Sequence, residues 1–242
     1  MNVQNLFNAC SKIVEAAYPA GMAGIAPPAP IQGPGFFPVM SGSFHSGSLT
    51  DDLGHRRIMI VGQDFGHEQD VKACRIDPNA DVNSPTGKAL RKLLKMAGIP
   101  EEECFFTNAL FGVRTTATNT GRSPGWDDPH FVDRCRKALE RQIDALDPRA
   151  IICLGIQAPR LLAGIFPECG VWTGTTFTKI DVARKAVIEI GSPARTVQMG
   201  TVLVHPSFRH ANVWRRRYKG HEGDAAEVEM LKDVWKEVRS LP

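Results

Sequence analysis

The 242-residue sequence contains no long apolar run and no amino-terminal targeting pattern. A helix that crosses a bilayer needs roughly 20 consecutive apolar residues. The longest apolar stretches here, residues 58–61 and 150–154, have the length of buried strands. No basic run leads into an apolar one near the amino terminus, which argues against a secretory signal. We therefore expect a cytoplasmic protein without a membrane segment.

Closely spaced cysteines are also lacking. The sequence has six cysteines, but no two of them form a Cys-x-x-C pair, so the spacing indicates neither a zinc ribbon nor a redox dithiol. We expect most of them to be reduced and buried. They are Cys10, Cys74, Cys104, Cys135, Cys153 and Cys169.

The net charge is small, at +3, but it is unevenly distributed. Residues 205–221 contain four arginines, one lysine and no acid, so this segment carries +5 and the rest of the chain carries −2. A basic segment of this kind is typical of a contact with a polyanion. A solvated helix face is the alternative, although Trp214 and Tyr218 are interleaved with the basic residues.

Apolar periodicity predicts an alternation of helices and strands. Helices are expected at residues 2–18, 87–97, 129–146, 159–163 and 224–240, and strands at 57–61, 104–110, 150–154 and 201–204. Residues 171–190 are expected to form an inserted hairpin or a pair of edge strands. Residues 20–54, with 7 glycines and 5 prolines, predict a long loop that is either functional or disordered.

Strands that alternate with helices imply a mostly parallel sheet covered on both faces. We therefore expect a single α/β domain over residues 1–242, with three α/β/α layers around a central, mostly parallel four-stranded sheet. In such sheets the ligand crevice lies beyond the carboxyl ends of the strands. The segments that follow the four strands, at 62–67, 107–114, 155–157 and 205–209, are therefore the candidates for chemistry.

The first of these segments reads Gly62-Gln63-Asp64-Phe65-Gly66-His67. Its two glycines allow the backbone to approach a ligand closely. Asp64 places a carboxylate at the crevice, although an aspartate at this position is equally typical of a turn or a helix cap. No Gly-Lys-Ser/Thr follows, so the segment is not a P-loop.

Two later segments carry further polar groups. Asn108 ends the second strand, where its amide can read a planar imide edge or simply tie a turn together. His205 can donate to an oxygen on which negative charge develops, and Ser207 can hold a phosphate. A metal site built from Asp64, His205 and His210 is an alternative, but its spacing matches no standard motif, and we expect no metal.

Together, in this order on this scaffold, the motifs resemble the uracil-DNA glycosylase superfamily over residues 57–218. Gly62-Gln63-Asp64 is similar to the water-activating motif of the family-1 enzymes, and His205-Pro206-Ser207 to the second catalytic motif. Thr107-Asn108 is similar to the stretch around the uracil-reading Asn of the family-4 enzymes. That likeness extends to residues 84–94, to Arg114, to residues 119–122 and to residues 135–162.

The sequence also departs from these families. Phe65-Gly66 stands where family-1 enzymes have Pro-Tyr, whose Tyr blocks the thymine methyl group. Cys135 occupies the place of one iron–sulfur ligand of family 4, but the amino-terminal cysteine pair is missing, so no cluster and no other cofactor is expected. Val82 lies near the place of the family-4 Phe, which leaves Phe65, Phe111 or Phe36 to stack on the base.

The resemblance implies excision of uracil from single- or double-stranded DNA by a monomeric, monofunctional glycosylase. Asp64 would orient water and face the sugar cation, His205 would donate to uracil O2, and Asn108 would read the imide edge. The implied substrate-binding residues are Gly62, Gln63, Phe65, Gly66, Asn108 and Ser207. The implied DNA-binding residues are Ser84, Phe208, Arg209, Arg215, Arg216 and Arg217. A non-catalytic DNA-binding module and a metal-dependent nucleotide hydrolase remain the alternatives.

Overall fold

The computed structural model describes residues 1–18, 24–54, 56–116, 121–191 and 196–240. Its strands are β1 (Ile25–Ala26), β2 (Ile58–Gly62), β3 (Cys104–Asn108), β4 (Val113–Arg114), β5 (Ala150–Leu154), β6 (Val187–Glu189), β7 (Met199–Leu203), β8 (Arg217–Tyr218) and β9 (His221–Glu222). Its α-helices are α1 (Val3–Val14), α2 (Glu68–Ile76), α3 (Ala80–Asn83), α4 (Pro85–Ala97), α5 (Pro129–Leu146), α6 (Pro159–Leu162), α7 (Phe177–Val182), α8 (Arg209–Asn212) and α9 (Gly223–Ser240). In this described part of the chain, no helix is long and apolar enough to span a membrane.

The central sheet has five strands in the order β3-β2-β5-β7-β6. The first four are parallel to one another and correspond to the four strands predicted from the sequence. The fifth, β6, is antiparallel to β7 and forms one edge. The four-stranded prediction therefore missed one edge strand, and the α/β class with a mostly parallel sheet is confirmed.

The prediction of a hairpin or a pair of edge strands at residues 171–190 is right for one edge strand, β6, and wrong for the second strand. This stretch contains the end of a 3-10 turn (Pro167–Trp172), helix α7 and the single strand β6. Trp172 is fully buried, and its indole N–H donates to the Lys185 carbonyl at 2.6 Å. This contact joins the helical turn to the residues just before β6.

Helices cover both faces of the sheet. Every residue of β2, β3 and β5 is buried, which explains why these strands are continuous apolar runs rather than alternating ones. Helix α1 packs on α5, and α4 packs on α9. The sheet therefore lies between two groups of helices, as the sequence predicts.

Two helices at the cleft edge begin with side-chain caps. Ser84 accepts a hydrogen bond from the Gly87 backbone N–H, and Pro85 occupies the first turn of α4, where its missing N–H has no helical partner to lose. Helix α2 was not predicted. It begins with a capping box in which His67 is the N-cap and Asp70 is the reciprocal partner. Histidine is an unusual N-cap, so the sequence gives little indication of this start.

The described part of the predicted loop, residues 24–54, is folded against the core; residues 20–23 lie outside the described residues. Strand β1 pairs with β4, and the Phe37 N–H donates to the Phe106 carbonyl of edge strand β3 at 3.0 Å. The Phe106 N–H in turn donates to the Gly42 carbonyl at 2.9 Å. The loop thus covers the open edge of the sheet and brings Phe36 to the cleft.

Candidate functional site

The carboxyl ends of the parallel strands open into a cleft of about 860 Å³. All four segments that follow the predicted strands contribute to its lining. Strands β2 and β3 run in register, so that Gly62 lies opposite Asn108 where both strands end. The cleft therefore brings together Gly62, Gln63, Asp64, Phe65, Gly66, Asn108, His205, Ser207 and Phe208.

Asp64 forms a buried ion pair with Arg114, and we call these two residues the cleft pair. Arg114 Nε lies 2.7 Å from Asp64 Oδ2, and each side chain is only 4% exposed. The Gly66 N–H donates to Asp64 Oδ1 at 3.1 Å. Burial raises the pKa of Asp64, while the charge of Arg114 and its hydrogen bond act in the opposite direction. The carboxylate is therefore held in one orientation at the cleft floor.

Gly66 closes the loop that carries Asp64. Its φ of +107° lies in the region that favours glycine, and a Cβ there would lie 2.8 Å from Asp70 Oδ2. The Gly66 carbonyl accepts from the Arg114 backbone N–H at 2.8 Å. This turn thus fixes the backbone of both members of the cleft pair.

The Gln63 side chain is bonded to the chain that follows residue 120. Its Nε2 donates to the Gly121 carbonyl at 3.0 Å, and its Oε1 accepts from the Ser123 N–H and from the Trp126 indole N–H. A contact from Gln63 to a base would therefore use its backbone. Asn119, part of the stretch that resembles family 4, lies outside the described residues.

Asn108 packs against Gly62, where there is no room for a side chain. A Cβ on Gly62 would overlap Asn108 Oδ1. Asn108 Nδ2 donates to the Phe37 carbonyl at 3.3 Å, which leaves the second hydrogen of that amide for another acceptor. The side chain is buried, and the loop covering the sheet edge holds its orientation.

His205 begins the 3-10 turn Pro206–Phe208, and its Nδ1 accepts from the Ser207 N–H at 3.3 Å. The neutral ring must then carry its proton on Nε2. Burial, and to a smaller extent the charge of Arg114, lowers the pKa of His205 to about 4. At neutral pH this residue is an uncharged hydrogen-bond donor.

Behind His205 lies a second group of buried charges, Asp181, Arg209, Arg216 and Glu227, which we call the backing cluster. Glu227 accepts from the Val204 N–H at 2.6 Å and forms ion pairs with Arg209 and Arg216. Arg216 also donates to Asp181 Oδ2 at 3.1 Å and to the Val202 carbonyl at 2.9 Å. These contacts fix the end of β7, from which His205 projects.

Two of the predicted DNA-binding residues, Arg209 and Arg216, belong to the backing cluster, and for them the prediction is wrong. Arg216 is 0% exposed and so cannot reach a phosphate. The side chain of Arg209 is 11% exposed and is held by Asp224 and Glu227. Arg215 and Arg217 are on the surface; Arg215 lines the cleft, and Arg217 forms an ion pair with Glu222 at 2.9 Å. For these two, the predicted phosphate contact remains a prediction.

The predicted DNA-binding residues Ser84 and Phe208, and the predicted substrate-binding residue Ser207, lie at the cleft rim. Ser84 and Ser207 both line the cleft, and Ser207 Oγ lies 3.1 Å from Thr86 Oγ1. Phe208 is 41% exposed beside the His205 ring. The rim thus joins the start of α4 to the turn that follows His205.

Two of the three candidate stacking aromatics reach the cleft. Phe36 and Phe65 line it. Phe111 packs in the core against Phe7 and Phe37, so it cannot be the ring that stacks on the base. Phe36 is held edge-on by Phe44 and Phe106, so the loop covering the sheet edge supplies a fixed ring.

The cysteines do not form the ligand set of an iron–sulfur cluster. All six are free and buried, and Cys135 Sγ accepts from the Phe111 N–H inside the core. Within the described ranges no three His, Cys, Asp or Glu side chains come together in a way that could hold a metal ion. The alternative metal grouping of Asp64, His205 and His210 is not formed there.

Two residues of the site were given no role from the sequence. Arg114 lies in a segment that follows a strand, so its position in the sequence could have identified it as a site residue. Glu227 lies on α9, and the pattern of that helix does not distinguish it from the surface acids around it. Only the fold brings its carboxylate to Val204.

The chain is similar to known uracil-DNA glycosylases by family and by sequence. The profile described as "Uracil DNA glycosylase superfamily" matches residues 50–238. A protein named Type-4 uracil-DNA glycosylase, from Archaeoglobus fulgidus, is 27% identical over 150 residues. That alignment covers 62% of this chain and 65% of the relative, so the chain spans just under two thirds of the protein it matches.

Proposed function

The chain belongs to the uracil-DNA glycosylase superfamily, and on that premise we propose that it hydrolyses the N-glycosidic bond of deoxyuridine in DNA. The product is an abasic site, which base excision repair then processes. One observation carries the proposal: a carboxylate, an amide and a neutral imidazole meet in a single cleft, at Asp64, Asn108 and His205. The name of the archaeal relative supports it.

The substrate base must leave the duplex before these groups can reach it. Unstacking and flipping a nucleotide costs a few kcal/mol, which contacts to the DNA backbone offset. Ser84, Ser207 and Arg215 lie at the rim, where such contacts would form. The exposed ring of Phe208 is placed to fill the space that the base vacates.

Bond cleavage develops opposite charges on the two fragments. As the glycosidic bond lengthens, the sugar becomes cationic and the base anionic, so fixed groups of opposite character stabilise the transition state. Asp64 faces the sugar and accepts a hydrogen bond from the attacking water. Its carboxylate has about four acceptor sites, so the bonds from Arg114 and Gly66 leave room for that water. Water is the nucleophile, so the enzyme is monofunctional.

His205 and Arg114 act on the leaving base. The neutral His205 ring donates its Nε2 proton in a hydrogen bond to uracil O2, where negative charge collects. Arg114 adds a positive charge close enough to His205 to lower the pKa of that ring. The same charge favours the uracil anion, so Arg114 serves both fragments, through Asp64 on one side and His205 on the other.

Asn108 distinguishes uracil from cytosine. Its Oδ1 accepts from uracil N3–H and its Nδ2 donates to O4, whereas cytosine presents the reverse pattern. A site whose buried polar groups are left unpaired can reject an analogue by roughly 10⁴- to 10⁵-fold. The backbone of Gln63 supports the base from the adjoining loop.

A uracil-containing oligonucleotide incubated with the protein in EDTA tests this function, with the same oligonucleotide carrying thymine in place of uracil as the control. Alkali-sensitive abasic sites at the uracil alone are the expected result. Binding without abasic sites would instead make the chain a non-catalytic DNA-binding module. Activity that chelation abolishes would indicate a metal-dependent hydrolase, and either outcome would overturn the proposal.

A further inference from the structure

An exposed tryptophan lies beside the cleft. Trp214 belongs to the 3-10 turn Val213–Arg215 and is 57% exposed, whereas Trp126, Trp172 and Trp235 are buried. A single exposed apolar side chain is ordinary on a protein surface. Its contacts and its position beside the cleft distinguish Trp214 from such side chains. The mechanism proposed for uracil excision gives this residue no role.

The indole of Trp214 is held in place by its neighbours. Its N–H donates to the Ala211 carbonyl at 3.0 Å, and the guanidinium carbon of Arg215 lies 4.7 Å from the ring centroid. Arg217 donates to the Trp214 carbonyl at 2.8 Å. A ring that is already ordered loses less conformational entropy when a ligand binds to it. These contacts create a flat, fixed surface with a positive charge over the ring.

This surface is anchored to the site that it adjoins. Arg216, the next residue, is fully buried in the backing cluster. Helix α8, which connects Phe208 to the Trp214 turn, has four residues and is about 6 Å long. Arg215 and Asn212 both line the cleft. A strand whose uridine enters the cleft would therefore pass close to Trp214.

Nucleic-acid bases suit this arrangement better than other planar groups. An aromatic face stacks on any base, and an adjacent arginine adds attraction to the base or to its phosphate. In a duplex the faces of each base are covered by its neighbours, so an indole face has access only to unpaired bases. The surface therefore favours single-stranded DNA.

We propose that Trp214 and Arg215 form a stacking platform for an unpaired base next to the uridine, and that the platform gives the protein a preference for single-stranded DNA. This proposal rests on the proposed function in one respect: it assumes that a uridine occupies the cleft. Stacking on Trp214 does not require uracil, so it can be measured with DNA that contains none.

The test is a titration with uracil-free oligothymidylate, followed by tryptophan fluorescence and by fluorescence anisotropy of a labelled strand. The wild type should show quenching, which Trp214→Phe should lose while it keeps its affinity within a few-fold. Trp214→Ala should weaken single-strand binding by roughly 5- to 150-fold, the equivalent of one stacked base. Its affinity for a matched duplex should change little. Arg215→Ala, which removes a charge, should weaken both.

Several results would overturn the platform. They are quenching of equal size in Trp214→Phe, wild-type single-strand affinity in Trp214→Ala, and an equal loss on duplex and single strand. Thermal unfolding of Trp214→Ala verifies the fold, since substitutions of exposed side chains usually change stability little. Wild-type protein that excises uracil but shows no Trp214 quenching would refute the platform alone. Protein that shows the quenching but excises nothing would refute the proposed function alone.

Discussion

Two buried groups of arginine and carboxylate lie on either side of His205, and they differ in what they face. The cleft pair, Asp64 and Arg114, lines the cleft. The backing cluster contacts the chain next to His205, where the Val204 N–H donates to Glu227. None of its four residues is among the described residues that line the cleft. The same two side-chain types thus supply charge to a site in one place and hold a strand end in the other.

The difference lies in which partners each carboxylate has. Asp64 is bonded through one oxygen to Arg114 and through the other to a turn, and it keeps acceptor capacity toward the cleft. Glu227 is fully buried and is surrounded by two arginines and a backbone N–H. Replacing a whole buried ion pair with apolar groups is often neutral, but removing one partner leaves a buried charge uncompensated. The two groups should therefore respond differently to single substitutions.

The largest expected effect is on stability, at the backing cluster. Glu227→Ala leaves Arg209 and Arg216 short of a partner and should lower the free energy of unfolding by about 3–5 kcal/mol. Urea denaturation measures this loss in the free energy of unfolding. The control is Glu222→Ala, which breaks an exposed pair with Arg217 and should cost less than about 1 kcal/mol. If Glu227→Ala does not fold, Glu227→Gln takes its place. An equal loss in the Glu227 and Glu222 variants would contradict the assignment.

At the cleft pair the larger effect should be on catalysis. Asp64→Asn keeps the shape but removes the charge that we propose faces the sugar cation, and single-turnover excision should fall by at least about 10²-fold. DNA binding, measured separately, should change little. Asp133→Asn, an exposed carboxylate on α5, is the matched control and should retain full activity. Undiminished excision by folded Asp64→Asn would disprove the role of the cleft pair.

His205 connects the two groups, and its proton affinity should make stability depend on pH. Its pKa is about 4 in the folded chain, against an unfolded value of about 6.5. Between these values the unfolded chain binds more protons, so lowering the pH from about 7 to about 5 favours unfolding. Across that range the wild type should lose roughly 1–2 kcal/mol more stability than His205→Gln.

Urea denaturation of both proteins at the two pH values measures this difference. Ser207→Ala, which changes the same turn but no titratable group, is the control and should lose as much stability over this pH range as the wild type. Equal losses in wild type and His205→Gln would mean that His205 is not held neutral by its surroundings.

The smallest effect concerns the arginines outside both groups. Replacing Arg215 and Arg217 by alanine should reduce the slope of log K against log salt for DNA binding by up to about 2, since each phosphate contact contributes about 0.9. The double variant Lys12→Ala with Lys137→Ala removes equal charge from exposed positions on α1 and α5 and should leave the slope unchanged. Equal slopes in the two double variants would make Arg215 and Arg217 ordinary surface charges.

Sequence reasoning succeeded where the physics is local. The four parallel strands and helices α1, α4, α5 and α9 follow from apolar periodicity, and their bounds agree within a few residues. Helix α2 was missed because its cap is a histidine. Of the two edge strands expected at residues 171–190 only β6 forms, and helix α7 stands in place of the other. Hydrogen bonds to β3 order the loop at residues 24–54, and they depend on a strand far along the chain.

The sequence by itself determined the alternation of strands and helices, the edge of the sheet at which the candidate site residues lie, and the residue types at each strand end. Only the tertiary structure decided which charges reach solvent. Arg209, Arg215, Arg216 and Arg217 look alike in a basic run, yet two of them are held by carboxylates from α7 and α9. A charge is visible in the sequence, but its burial depends on a partner that only folding brings into contact.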